Sequence, residues 1–266
     1  MGHRWRQAKL KAADWLTANL PQRVPGRAAL ENCKIISHRG EHDNRTVFEN
    51  TLPAFDHARR NGVWGIECDI RWTADQVPVV CHDPTGERVF GDRTAVGSVS
   101  FGELRRRLPQ IPTLEELLIE FGGNTHLMLE LKAEPFPQPR LQRERLQALL
   151  APWEAGRDYH LLSLEPALFR QFDIVPAEHC CPVAEENVHE LLQITLDSGY
   201  GGLGGHFLLL DQSVKRQLEM AGMRLGTGFV ASRNCLFREL NRGVEWIFSN
   251  HAVRIQKIRD HYLARA

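Results

Sequence analysis

From residue 33 onward the chain alternates short apolar runs with longer amphipathic stretches. The runs are "CKIIS", "VWGIECDI", "VPVVCH", "HLMLEL", "YHLLSL", "HCCPVA", "GYGGLG", "MRLGTGFV" and "EWIFSN". Their length and their Val, Ile and aromatic content predict strands. Between them, "TLPAFDHARRNG", "TLEELLIEFGG", "DQSVKRQLEMAG" and "CLFRELNRG" carry apolar residues at helical spacing and end on glycine, a common helix stop. A strand–helix repeat of this kind predicts a parallel sheet. "AEPFPQPR" is the one Pro-rich stretch, and it is loop-sized.

Nine runs exceed an eight-stranded barrel by one. The gap between Asp69 and "VPVVCH" is far shorter than the roughly dozen residues a parallel crossover needs. Those two runs are therefore expected to form a hairpin turning at "TADQ", with the return strand carrying His82 back beside Glu67 and Asp69. The remaining eight fit a (β/α)8 TIM barrel with an added hairpin strand after its second strand. A doubly wound open sheet is the alternative, but no Gly-rich nucleotide turn follows the first strand.

Composition changes this picture little. The 266 residues are 42% hydrophobic and 25% charged, with 33 basic and 33 acidic side chains. A zero formal charge gives no support for a bulk nucleic-acid partner. Six cysteines, with no CxxC pair, sit mostly in strand-like runs and read as reduced core residues of a cytosolic protein. The first twenty residues, "MGHRWRQAKLKAADWLTANL", have no apolar signal-peptide core, and no run reaches the length of a membrane span. They predict an amphipathic helix, with Trp5, Ala8, Ala12, Trp15 and Leu16 opposite Arg4, Arg6, Lys9 and Lys11. The expected role is to pack its tryptophans on the domain; attachment to a membrane surface is the alternative. Residues 1–30 are thus expected to form a helical extension of a single domain spanning 1–266.

In such a barrel the C-terminal strand ends line the working face. The first run ends at His38 and Arg39. The second carries Glu67 and Asp69, two apart and so on one face, with Cys68 on the other. The hairpin return delivers His82, and "HLMLELKAE" delivers Glu130 and Lys132, again on one face. Three buried carboxylates repel unless a cation compensates, and oxygen ligands suit Mg²⁺ or Ca²⁺ better than zinc. Arg39 and Lys132 are donors only, so they suit an anionic substrate, phosphate above all, and the histidines are free to act as base and acid. Taken singly, each has a plainer reading as a structural histidine, a salt bridge or a solvated edge. Their arrival at matching strand ends favours the joint reading.

At these residues the chain resembles a known family. "HRG…FENTLPAFDHARRNGVWGIECDIRWTADQVPVVCHD", then "IPTLEELL" and "LELK", is similar to the glycerophosphodiester phosphodiesterases, across residues 36–132 and more weakly to about residue 260. The resemblance implies a TIM-barrel phosphodiesterase with a divalent metal, cleaving glycerophosphodiesters to glycerol 3-phosphate and an alcohol. It implies Glu67, Asp69 and Glu130 as metal ligands, His38 as base, His82 as acid, and Arg39 and Lys132 as phosphate contacts. It also implies that Glu49 and Asn50 of "ENT" support the site, with helix capping or packing an alternative role for Glu49. The family usually has Trp-Thr-Val-Asn where this chain has "GTGFVASRN", residues 226–234. It usually ends its last strand on Thr-Asp, where Asn250 stands here, and has proline in place of Phe48. These departures are expected to alter the alcohol side of the pocket and to leave the metal and the histidines untouched. A lysophospholipase D-like activity, another phosphodiester, or a non-catalytic phosphodiester-binding barrel are the rival readings.

Overall fold

A computed structural model describes residues 16–266. Nine strands are formed among them: β1 (Lys34–His38), β2 (Gly65–Trp72), β3 (Pro78–Val80), β4 (His126–Leu131), β5 (Tyr159–Ser163), β6 (Cys180–Ala184), β7 (Gly202–His206), β8 (Arg224–Gly228) and β9 (Trp246–Ser249). Eight of them run parallel in the order β1-β9-β8-β7-β6-β5-β4-β2, and the β1–β2 pairing closes the ring. β3 lies outside it, antiparallel to the end of β2 with Ile70 opposite Val80. The hairpin and the TIM barrel are thus as expected, with β2 running two residues further than its apolar run.

The helices between strands form where the spacing predicted them. Residues Leu114–Phe121 start at a capping box in which Thr113 and Glu116 satisfy each other's backbone N–H groups. That helix buries Leu114, Leu117, Leu118 and Phe121 against Leu127, Leu129 and Leu131 of β4. The opposite face of β4 is buried too: Met128 meets Ile36, Leu162, Cys181 and Trp246 in the barrel interior. β4 is therefore buried on both faces rather than half-buried, as parallel barrel strands are. Glu130 sits one step above Met128 on that inward face, which places it at the mouth.

All six cysteines are buried and outside any disulfide, as expected. The predicted N-terminal helix, with Trp5 and Trp15, falls largely outside the described residues; Leu16 to Asn19 are helical, with Leu16 exposed and Thr17 buried. Asn234 and Asn241 hold the following segment by donating to the carbonyls of Ala18 and Arg23. Among the described residues no helix is long and apolar enough to cross a membrane.

Candidate active site

Strand register assembles the cluster. β1 and β2 pair with His38 beside Glu67, and β2 and β4 pair with Asp69 beside Glu130. Because inward positions recur every second residue, Glu67 and Asp69 project together while Cys68 joins the core under the helices. One carboxylate oxygen from each of Glu67, Asp69 and Glu130 lies within 4.8 Å of the other two. All three residues are buried.

Burial and the neighbouring charges push the Glu67 carboxyl well above its ordinary range, and burial with Asp69 raises Glu130. Asp69 goes the other way: despite burial, the Lys132 ammonium and the Arg39 guanidinium lower it to about 2. Lys132 Nζ lies 2.8 Å from Asp69 Oδ1 and also donates to Glu130. Glu67 Oε1 is buried with no hydrogen-bond partner. An orphaned oxygen beside two further carboxylates is what a hard divalent cation would satisfy, so the donor set fits such an ion.

Arg39 and Asn50 both adopt left-handed backbone conformations, with φ of 61° and 57°. Such φ values strain non-glycine residues and persist only where surrounding contacts hold them. The Arg39 N–H donates to the Glu67 carbonyl at 2.9 Å and lies 3.1 Å from Glu67 Oε2, while the Asn50 N–H donates to the Arg39 carbonyl at 2.9 Å. Asn50 Nδ2 then donates to Asp69 Oδ2 at 2.7 Å. Glu49 does not cap the following helix, Leu52–Arg60, whose N-cap position is Thr51. Its carboxylate accepts instead from Asn44, Arg39 and Arg88.

Each histidine has one ring nitrogen engaged. His38 Nδ1 lies 2.5 Å from Asn250 Oδ1, and since an amide oxygen only accepts, Nδ1 carries the proton and Nε2 is left free. His38 Nε2 is 3.8 Å from Glu67 Oε2. Burial, reinforced by Arg39, lowers His38 to about 4. The Phe229 ring meets His38 edge-on at 5.6 Å between centroids. The departures at Asn250 and in residues 226–234 therefore do touch a histidine, contrary to expectation. The reason is parity: Trp246 and Phe248 face the barrel interior, so Asn250 follows them inward. His82 Nδ1 lies 2.6 Å from Asp83 Oδ1, and burial lowers the His82 imidazole from its usual value. Arg71 fixes the His82 backbone by donating to its carbonyl at 2.7 Å, and pairs with Glu134.

All nine predicted residues are thus gathered at the mouth of the barrel. Sequence reasoning missed Asn44, Arg71, Asp83, Arg88, Glu134 and the inward role of Asn250. Asp83 was adjacent to a flagged histidine, and Arg71 shares the parity of Glu67 and Asp69. Arg88 lies on a four-residue helix, too short to show a periodicity, and Glu134 in a loop segment, so no pattern points at them.

Fold and site together define a (β/α)8 barrel whose C-terminal mouth holds a carboxylate triad flanked by two histidines and two cations. The model of the glycerophosphoryl diester phosphodiesterase family matches residues 38–162, which contain all nine predicted residues of that mouth, from His38 to Lys132, together with Asp83. Glycerophosphodiester phosphodiesterase 1 of Homo sapiens is 35% identical over 130 residues, covering 41% of this chain and 38% of the relative. The glycerophosphodiester phosphodiesterase of Caldanaerobacter subterraneus is 30% identical over 127 residues, covering 43% of this chain and 51% of the relative. The matched segments thus span about half or less of these curated relatives. The structure of an Oleispira antarctica phosphodiesterase, in complex with the product sn-glycerol-3-phosphate, aligns with a TM-score of 0.73 at 20% identity, covering 87% of this chain and 99% of that one. At that identity the likeness is one of fold. Residues 38–162 of the chain thus resemble the glycerophosphodiester phosphodiesterase family.

Proposed function

We propose that this chain is a metal-dependent phosphodiesterase that hydrolyses glycerophosphodiesters to glycerol 3-phosphate and an alcohol. The observation that carries the reading is the buried triad Glu67, Asp69 and Glu130, with Glu67 Oε1 orphaned, set between two histidines that each keep one ring nitrogen uncommitted. A binding module would have no need of two such groups. The product complex of the Oleispira relative supports the substrate class.

Glu67, Asp69 and Glu130 would hold Mg²⁺ or Ca²⁺. When bound, the cation supplies charge stabilisation to the phosphate oxygens. Arg39 and Lys132 add positive charge that a phosphodiester can share. His38, held neutral with its Nδ1 proton on Asn250, offers Nε2 as the base that activates the attacking oxygen. His82, oriented by Asp83, protonates the leaving alkoxide. We read residues 1–266 as one such domain, with residues 1–30 as its helical extension, and six buried cysteines outside any disulfide support a reducing, cytosolic setting.

The test is choline release from glycerophosphocholine after exhaustive dialysis against EDTA, before and after Mg²⁺ or Ca²⁺ is returned. Activity that vanishes and is restored is the expected result. Undiminished turnover in EDTA would remove the metal, and no turnover under any condition would favour the binding-barrel reading.

A further inference from the structure

Arg88 stands outside the strand ends, on a short helix, Glu87–Phe90, in the loop that follows β3. Its guanidinium nevertheless reaches both sides of the mouth. Nε donates to Asp83 Oδ2 at 2.5 Å, and Asp83 Oδ1 lies 2.6 Å from His82 Nδ1. Nη1 and Nη2 donate to the two oxygens of Glu49, at 2.9 and 2.6 Å, and Glu49 accepts from Arg39 Nη1 at 3.0 Å. One planar fork therefore joins the carboxylate that orients His82 to the carboxylate that orients Arg39. We propose that Arg88 is a positioning residue, which sets His82 and Arg39 against one another through Asp83 and Glu49.

The surroundings suit that task. The loop carrying Arg88 has its own small core of Val79, Cys81, Val96, Leu104, Leu108 and Ile111, so the short helix rests on a packed base rather than hanging free. Phe90, two residues on, packs against Phe48 with centroids 5.3 Å apart, and Phe48 immediately precedes Glu49. An apolar clasp thus lies beside the polar one, at a position where the family's usual proline would present no aromatic ring. Glu49 is nearly buried, whereas the Arg88 side chain is half exposed. The bridge is built of charge-assisted bonds to two separate carboxylates, and an ammonium, as a point charge, cannot reproduce its fork geometry.

This inference rests on the phosphodiesterase reading. Its test is steady-state kinetics of Arg88→Ala and Arg88→Lys on glycerophosphocholine and on a p-nitrophenyl phosphodiester, with metal present. A misplaced acid hurts a poor leaving group most, so Arg88→Ala is expected to lose roughly 10–100-fold in kcat/KM on glycerophosphocholine and clearly less on the aryl ester. Because the side chain is half exposed, its removal opens the gap to solvent, and millimolar guanidinium is expected to restore part of the loss in Arg88→Ala. Arg88→Lys, whose ammonium occupies the gap, is expected to stay impaired. Wild-type rates in Arg88→Ala, or an equal loss on both substrates without guanidinium rescue, would overturn the proposal. A wild type inactive on both esters would instead sink the phosphodiesterase reading. The His82 imidazole ¹⁵N resonances would then still decide on Arg88: a shift in Arg88→Ala that guanidinium reverses supports it, and an unmoved spectrum overturns it.

Discussion

Lys132→Met tests whether this lysine stands as the charge that holds the carboxylate cluster together when no ion is bound. The substitution keeps most of the stem and deletes the ammonium that meets Asp69 and Glu130. Removing one partner from a buried ion pair typically costs ~3–5 kcal/mol, because the other charge is left uncompensated. Protonation sets a ceiling: a carboxylate of ordinary pKa ~4.3 can take up a proton at pH 7 for ~3.7 kcal/mol, at ~1.36 kcal/mol per pH unit. The expected loss in EDTA is therefore about 3–4 kcal/mol, or roughly 6–15 °C in Tm for a domain of this size. A divalent cation on the triad supplies the missing positive charge, and ligand linkage further favours the folded state. Saturating Mg²⁺ or Ca²⁺ is expected to shrink the gap between variant and wild type to under ~1 kcal/mol. Calorimetric melts of both proteins, in EDTA and in excess metal, give the four numbers needed. A loss below about 1 kcal/mol in EDTA, or one that metal leaves unchanged, would refute the charge-compensation argument.

Three further outcomes are expected. Asn250→Ala, which leaves His38 Nδ1 without its acceptor, should lower kcat on glycerophosphocholine about tenfold or more with little change in KM, and Asn250→Asp should retain most of the activity. His82→Ala should be partly rescued by an aryl leaving group and His38→Ala should not; general acid or base help is worth ~10²–10⁴-fold, so equal losses on both substrates would reject the division of roles. At the far end of the barrel, His126 Nε2 lies 2.8 Å from His160 Nδ1, and burial lowers the two to about 4 and about 3. Their unfolded value is near 6.5, so the unfolded chain binds more protons below it, and stability is expected to fall as pH drops from 6.5 toward 4. His160→Phe should flatten the Tm-versus-pH curve in that window, and an unchanged slope would exclude the pair as its source.

Periodicity alone determined the architecture: nine apolar runs became nine strands, and one short gap dictated the hairpin that returns His82. It could do so because strand direction follows from connection length, and side-chain direction from a repeat of two. The same parity brought Glu67, Asp69, Glu130 and Lys132 to one mouth without any knowledge of distances. What parity could not supply was lateral register, which pairs His38 with Glu67 and Asp69 with Glu130 across separate strands. Nor could it follow loops. Asn44, on irregular backbone, and Arg88, on a four-residue helix, both meet Glu49, and Asn250 meets His38 from 212 residues away. The last of these contacts exists because barrel closure lays β9 against β1, a long-range pairing that no local pattern encodes. Local chemistry names the candidate acids, bases and ligands; closure of the ring decides which partner each of them keeps.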